Sequence, residues 1–344
     1  MPKNSHQVLS LVFIFVLWLM LGCSTDNPPE SEVLSENIRL GIIPENLELN
    51  SLILLAERKG YFRKNNVNVI FIEQTSGVES LNNIENGNLD LGLATEYVFA
   101  KKIGKSTGIT IISTIAEGEE LVAILLNSGS ANISDRPALK GRSIGVVKGS
   151  GAEYFLDRFL TYQGGVQDTV SVRNFSSPRE AYDAFVSGET DAMITWQPYI
   201  WEAQTELGNK VLTVPAQSGQ PVFWNLYGRT VFVNQHPRLI NSFMKSLVEA
   251  ETFRQKDQEE AKALVYTESS HSYEYFDSIY RSTQPGIALD HSLLIALESE
   301  LRWILEKKSL EPFQLPNLLP HFSFWVLDEV KPNEVNIIHK KNVQ

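Results

Sequence analysis

Residues 146–155 read VVKGSGAEYF. Two β-branched residues, a Lys-Gly-Ser-Gly turn and a helix-forming run have the layout of an anion site. Backbone N–H groups and the positive end of a helix dipole meet at such a turn. The letters exclude two phosphate loops. The nucleotide loop needs its Lys and hydroxyl after the second glycine, and here Lys148 precedes Gly149. The dinucleotide pattern fails because Tyr154 stands where its third glycine belongs. The plainer alternative is a strand-to-helix turn whose glycines supply only backbone freedom.

The elements that would position this turn repeat along the chain. Ile38 to Ile43, IRLGII, matches Arg142 to Val147, RSIGVV. Gly60 and Gly164 follow the next helical stretches, and VNV (67–69) matches VSV (170–172). LNNIENGNLDLGLA (81–94) then matches YDAFVSGETDAMIT (182–195). Each copy reads strand, helix, strand, helix, strand. In the first copy the helices are 51–59, stopped by Gly60, and 78–85, closed by Gly87; the strands include 67–72 and 89–94. Such alternation predicts parallel sheets covered by helices, and two copies predict two α/β lobes. Ligands of open α/β sheets bind outside the carboxyl ends of the strands, and VVKGSGAEYF sits at such an end.

The chain begins with an apolar run at 9–21 that ends at Leu21-Gly22-Cys23, and Cys23 is the one cysteine among 344 residues. The expectation is a leader over 1–22 with Cys23 lipidated as in a bacterial lipobox, against the alternative of an ordinary signal peptide. Residues 23–37 are polar and Pro-containing, which suits a tether. With no second cysteine there is no disulfide, Cys-based zinc site or redox pair. About 300 residues remain, enough for two lobes. The net charge of −11 and the lack of a basic run argue against nucleic-acid binding, so any anion preference must be local. The six histidines show no ligand spacing, and no metal or cofactor is expected.

These stretches resemble the periplasmic substrate-binding proteins of ABC importers for nitrate, sulfonates, taurine and thiamine precursors. The resemblance rests on LLAERKGYFRKNNVNV (54–69), IENGNLDLGLA (84–94), LKGRSIGVVKGSGAEYFLDRFL (139–160) and FVSGETDAMITWQPY (185–199). It continues through VNQHPRLINSFMKSL (233–247) and LDHSLLIALESELRWIL (289–305), so it spans nearly all of 38–338. It implies an α/β, two-lobe periplasmic-binding-protein fold, each lobe a mainly parallel sheet flanked by helices, with the ligand in the cleft. Lobe one would be 38–126 plus 229–338 and lobe two 127–228, with crossings at 127–129 and near Tyr227-Gly228. The partners implied are a small-molecule ligand, ABC permease subunits in the inner membrane and the membrane itself through the Cys23 lipid, the protein acting as an exported monomer.

The candidate ligand contacts follow from strand-end position. Ser150, Gly151 and Ala152 would offer a hydroxyl and N–H groups to an anion, although Ser150 is equally a helix cap. Trp196 opens a Trp-Gln-Pro-Tyr stretch (196–199) resembling the family's Trp-Asp-Pro-Tyr; Gln197 departs from the acid, and Trp196 is either a flat wall or packing. Thr95 and Glu96 hold the matching place in the first copy. A carboxylate at Glu96 would favour a cationic group and, with the anion turn opposite, a zwitterion. Glu45, Asn46, Ser76, Glu119, Trp224 and Asn225 follow by the same logic, each with a packing or solvent-facing alternative. The charges at 298–303 read as a solvated helix face.

Three readings of function are open. The first is a solute receptor for an importer, with no catalytic residues. The second is a sensing lipoprotein with the same cleft. The third is an enzyme of the thiamine-pyrimidine branch, against which stand the lipobox and the absence of that branch's cysteine-rich motif.

Overall fold

A computed structural model describes residues 37–103, 108–128, 139–162, 169–307 and 314–340. The leader, Cys23, Gly129 and Gly164 lie outside the described residues. Among the described residues no helix is long and apolar enough to cross a membrane.

The first copy of the repeat builds β1 (Asn37–Ile42), α1 (Ser51–Arg58), β2 (Asn68–Glu73), α2 (Gly77–Glu85), β3 (Leu91–Thr95) and α3 (Glu96–Ala100). The long β4 (Ile109–Gly118) then leads into β5 (Val122–Asn127). The second copy builds β6 (Ser143–Val147), α4 (Gly151–Tyr162), β7 (Ser171–Phe175), α5 (Pro178–Val186), β8 (Ala192–Trp196), α6 (Tyr199–Leu207) and β9 (Val211–Pro215). β10 (Val222–Arg229) returns to the first half, followed by α7 (Pro237–Lys256), α8 (Tyr273–Ser282), β11 (Gln284–Ala288) and α9 (His291–Lys307).

Two sheets result, ordered β11-β4-β10-β3-β1-β2 and β7-β6-β8-β5-β9. Both are mixed, which corrects the expectation of mainly parallel sheets. β1 pairs in parallel with β2 and β3, and β6 with β7 and β8, as the repeat predicts. The strands that carry the chain between the halves run antiparallel to these: β10 against β3 and β4, β5 against β8 and β9. β5 and β10 enter their sheets from the crossings and run away from the end at which β3 and β8 finish, which fixes this sense.

The same strands move the crossings. β5 lies wholly in the second sheet and β10 wholly in the first. The chain therefore passes between sheets at 119–121 and 216–221, several residues before each expected position at 127–129 and 227–228. The expected positions fall at or near the far ends of β5 and β10, where the chain has already crossed.

The repeat has a structural purpose visible in one pair of aspartates. Gly87 and Gly188 close their helices at φ 76° and 78°, a backbone region that favours glycine. Three residues on, Asp90 accepts the Arg39 N–H at 3.0 Å and Asp191 accepts the Ser143 N–H at 2.8 Å. Each aspartate thus pins the start of the first strand of its own repeat, β1 or β6.

Candidate functional site

The parallel strands of both sheets end at one cavity of about 960 Å³, lined by residues from both halves, by Leu121 of the outgoing crossing and by the start of β10. That volume suits a small organic ligand.

Among the described residues, three helices of eight residues or more start at its wall behind a serine, and α6 starts there at Tyr199. Ser76 Oγ caps α2 by accepting the Glu79 N–H at 3.2 Å, and Glu79 accepts the Thr75 N–H at 2.7 Å. Ser177 and Glu180 repeat the arrangement on α5, at 3.2 Å, with the Ser176 N–H donating to Glu180 at 3.1 Å. Ser150 Oγ accepts the Ala152 N–H at 3.3 Å at the start of α4 and donates to Val147 O at 2.8 Å. The first turn of a helix leaves N–H groups without intrahelical partners, and its dipole end is positive. Ser76, Gly77, Ser150, Gly151, Ser177 and Arg179 all line the cavity. Gly149, at φ 89°, makes the turn that brings Ser150 there.

Among the described residues two cations line the same cavity, Lys148 and Arg179. Lys148 is exposed. The Arg179 guanidinium lies 4.9 Å from the Tyr199 ring and 5.1 Å from Tyr182, and pairs with Glu202 at 2.8 Å. Tyr199 in turn donates its hydroxyl across the cleft to Glu45 Oε2 at 3.4 Å.

The structure brings together ten of the twelve expected residues at the cavity: Glu45, Asn46, Ser76, Thr95, Glu96, Ser150, Gly151, Ala152, Trp196 and Trp224. Trp224 offers its ring and not its indole donor, because Nε1 is committed to Asn50 Oδ1 at 3.0 Å. Glu119 does not reach the wall; it is exposed in the first crossing turn. Asn225 does not either. It is fully buried in the first sheet, donating to Phe223 O and Tyr227 Oη and accepting from Thr114 Oγ1 at 2.8 Å. Its neighbour Trp224 points the other way along the strand, as alternation demands.

Glu96 is at the wall, but the charge expected of it is not. Burial pushes its carboxyl up to about 8, against hydrogen bonds from its own N–H and from the Phe223 N–H at 2.8 Å. Its side-chain partner is Glu300, which is fully buried and pushed well above the ordinary range by burial and by the Glu96 charge. Glu96 Oε1 and both oxygens of Glu300 find no donor among the described residues, a need that a proton held by the pair would meet. This corrects the solvated-face reading of 298–303, because Glu300 lies on the buried side of α9 with Leu297, Leu301 and Ile304.

Sequence reasoning did not single out Glu48, Lys148, Ser177 or Arg179 as site residues. The repeat pairs Ser76 with Ser177, so the same logic extended one step reaches the last two. Glu48 carries no such signal. It lies in the turn before α1, lines the cavity and is 3% exposed. Burial pushes it up to about 7.

Two α/β halves with a cleft at their strand ends define the periplasmic-binding-protein fold. The alkanesulfonate-binding protein SsuA of Xanthomonas axonopodis pv. citri, solved bound to MOPS, shares it, with a TM-score of 0.66 at 18% identity over 83% of this chain and 97% of that one. Within this class, residues 50–261 match the family described as NMT1/THI5 like, and the chain belongs to that family. A Bacillus subtilis protein named for aliphatic sulfonate binding is 27% identical over 80% of this chain and 82% of its own length. A Saccharomyces cerevisiae protein named 4-amino-5-hydroxymethyl-2-methylpyrimidine phosphate synthase is 30% identical over 28% of each chain.

Proposed function

We propose that this chain is an exported solute-binding protein that holds a small organic anion of the sulfonate class in its cleft and delivers it to an ABC importer. The observation that carries the reading is the convergence of the α2, α4 and α5 N-termini, with Lys148 and Arg179, on one cavity. A tetrahedral anionic head suits several N–H donors arriving from different directions. The relative named for sulfonate binding matches four-fifths of the chain, whereas the synthase matches little more than a quarter, which favours a receptor over an enzyme. The remaining parts of the reading are a monomer with β1–β4, β10 and the C-terminal elements as lobe one and β5–β9 as lobe two. Cys23 would carry the lipid that tethers it.

The test is thermal unfolding of residues 24–344 against alkanesulfonates, aminoalkanesulfonates, nitrate, phosphate, carboxylates and pyrimidines. A ligand at a hundred times its Kd adds about 2.7 kcal/mol, visible as a raised Tm. A shift confined to sulfonates supports the reading, and a shift confined to pyrimidines would sink it.

A further inference from the structure

We propose that Glu48 is the residue by which the cleft selects a ligand carrying an amino group, its carboxyl receiving the ammonium while the helix N-termini hold the anionic end. This rests on the reading of the cleft as an anion-binding site and adds the chemistry of the ligand's other end.

Among the described acids lining the cavity, Glu73 is exposed to water, and Glu48 is a buried one steadied by nothing beyond its own backbone. Glu45 accepts from Tyr199, Glu79 serves the α2 cap, and Glu96 accepts from Phe223 while its Oε1, left without a donor, lies with the buried Glu300. Glu48 Oε2 is buried and makes no hydrogen bond among the described residues. The charge is steadied only by its own backbone N–H. A buried carboxyl without a partner is costly, and a hydrophobic residue would fill the same turn at no such cost. An ammonium group offers three donors and a charge, which answers both the orphaned oxygen and the desolvation.

No cation among the described residues pairs with Glu48, whose charged neighbours are acidic. Glu45 stands in the same turn. On α8, Tyr275 faces Glu48; its hydroxyl is pushed up by burial and then by the charges of Glu48, Glu202 and Glu45, and it too makes no hydrogen bond among the described residues. Glu202, on α6, is paired with Arg179, whose guanidinium is already held there and over Tyr199. The negative field at this end of the cavity therefore awaits a cation from the ligand.

The carboxyl sits near neutrality, so an incoming ammonium displaces its proton. Binding of an amino ligand at pH 6.5 releases a proton, and its affinity climbs as pH rises through about 7. A plain alkyl anion shows neither effect at Glu48.

The experiment is calorimetric titration of two matched pairs, an ω-aminoalkanesulfonate against the alkanesulfonate of equal length, and the ω-amino carboxylate against the alkanoate. Wild type and Glu48→Gln are compared in buffers of different ionisation enthalpy. The expected result is at least about a tenfold preference for the amino member in wild type, with proton release, and collapse of both in Glu48→Gln. An equal preference in wild type and variant, or no preference in wild type, overturns the proposal. An amino preference confined to the carboxylate pair keeps Glu48 and removes the sulfonate reading. Binding of neither pair overturns both.

Discussion

Gln217 and Gly118 join the two crossings of the fold. Gln217 Nε2 donates to Gly118 O at 2.8 Å, and its Oε1 accepts the N–H groups of Val122, at 2.8 Å, and Leu121. The same amide nitrogen reaches Gln220 O at 2.9 Å. One fully buried side chain thus satisfies four backbone groups, three on the outgoing crossing and one on the return. Segments that pass between sheets have no ladder partner for those groups, and a buried unpaired one is costly.

Replacing Gln217 with Leu is therefore expected to cost at least about 2 kcal/mol of stability, because the four groups lose their partner at once. Denaturant unfolding gives the cost. Amide exchange locates it: Leu121 and Val122 N–H, slow in the wild type, should become fast. A loss below about 1 kcal/mol with both amides still protected would mean that the crossings are held by something else.

The Glu96–Glu300 pair predicts an unusual pH profile. Both carboxyls are raised above 4.5 by burial first, Glu96 to about 8 and Glu300 well above its ordinary range. Between about 4.5 and 8 the folded protein holds protons that the unfolded chain has released, so stability falls as pH rises through that window. Glu300→Gln removes one acid and leaves an amide donor for Glu96. The variant should be the more stable protein at pH 8.5, with the gap narrowing at pH 5, as read from guanidinium midpoints. A variant weaker than wild type at both values would show that the pair shares no proton.

What the sequence disclosed and what it withheld divide along this line. The parallel strands and their helices were legible because the repeat writes them twice, down to the Gly-x-x-Asp that pins β1 and β6. The crossing strands were not. β4, β5 and β10 are long apolar runs whose partners lie far along the chain, and periodicity says nothing about which sheet such a run joins. Glu300 was legible in principle, since it falls among Leu297, Leu301 and Ile304 at helical core spacing, but a charge flanked by other charges reads as solvated. Glu48 was hidden, because only the fold brings its turn to the cavity. Glu96 was placed correctly at the wall, while its protonation depends on Glu300 more than two hundred residues away.

Ser150 is expected to show two separable losses. Its Oγ caps α4 and also lines the cavity. Ser150→Ala should cost about 1 kcal/mol of stability, the ordinary worth of a cap, and should also weaken anion binding. Ser150→Asn keeps a capping oxygen but fills the space beside Gly151. It should restore most of the stability and little of the affinity. Recovery of both together would assign Ser150 to the cap alone.

The last prediction concerns α4, whose first turn lines the cavity and whose side chains reach the first half. Glu153 accepts from Lys101 Nζ at 3.0 Å and from the Tyr97 hydroxyl at 3.3 Å. One turn on, Asp157 accepts from Trp303 Nε1 at 2.8 Å and Lys307 Nζ at 2.7 Å. None of these residues except Tyr97 lines the cavity, so they act on the ligand only through the arrangement of the halves. If the halves separate when the cleft empties, these bonds belong to the closed form and favour it. Removing Glu153 and Asp157 together, as alanines, then shifts the population toward the open form and raises Kd by roughly threefold or more, without a contact to the ligand. The faster step should be dissociation, since closure holds the ligand in. An unchanged Kd with unchanged release would mean that α4 keeps these partners in both forms, and that the hinge lies on the other side of it.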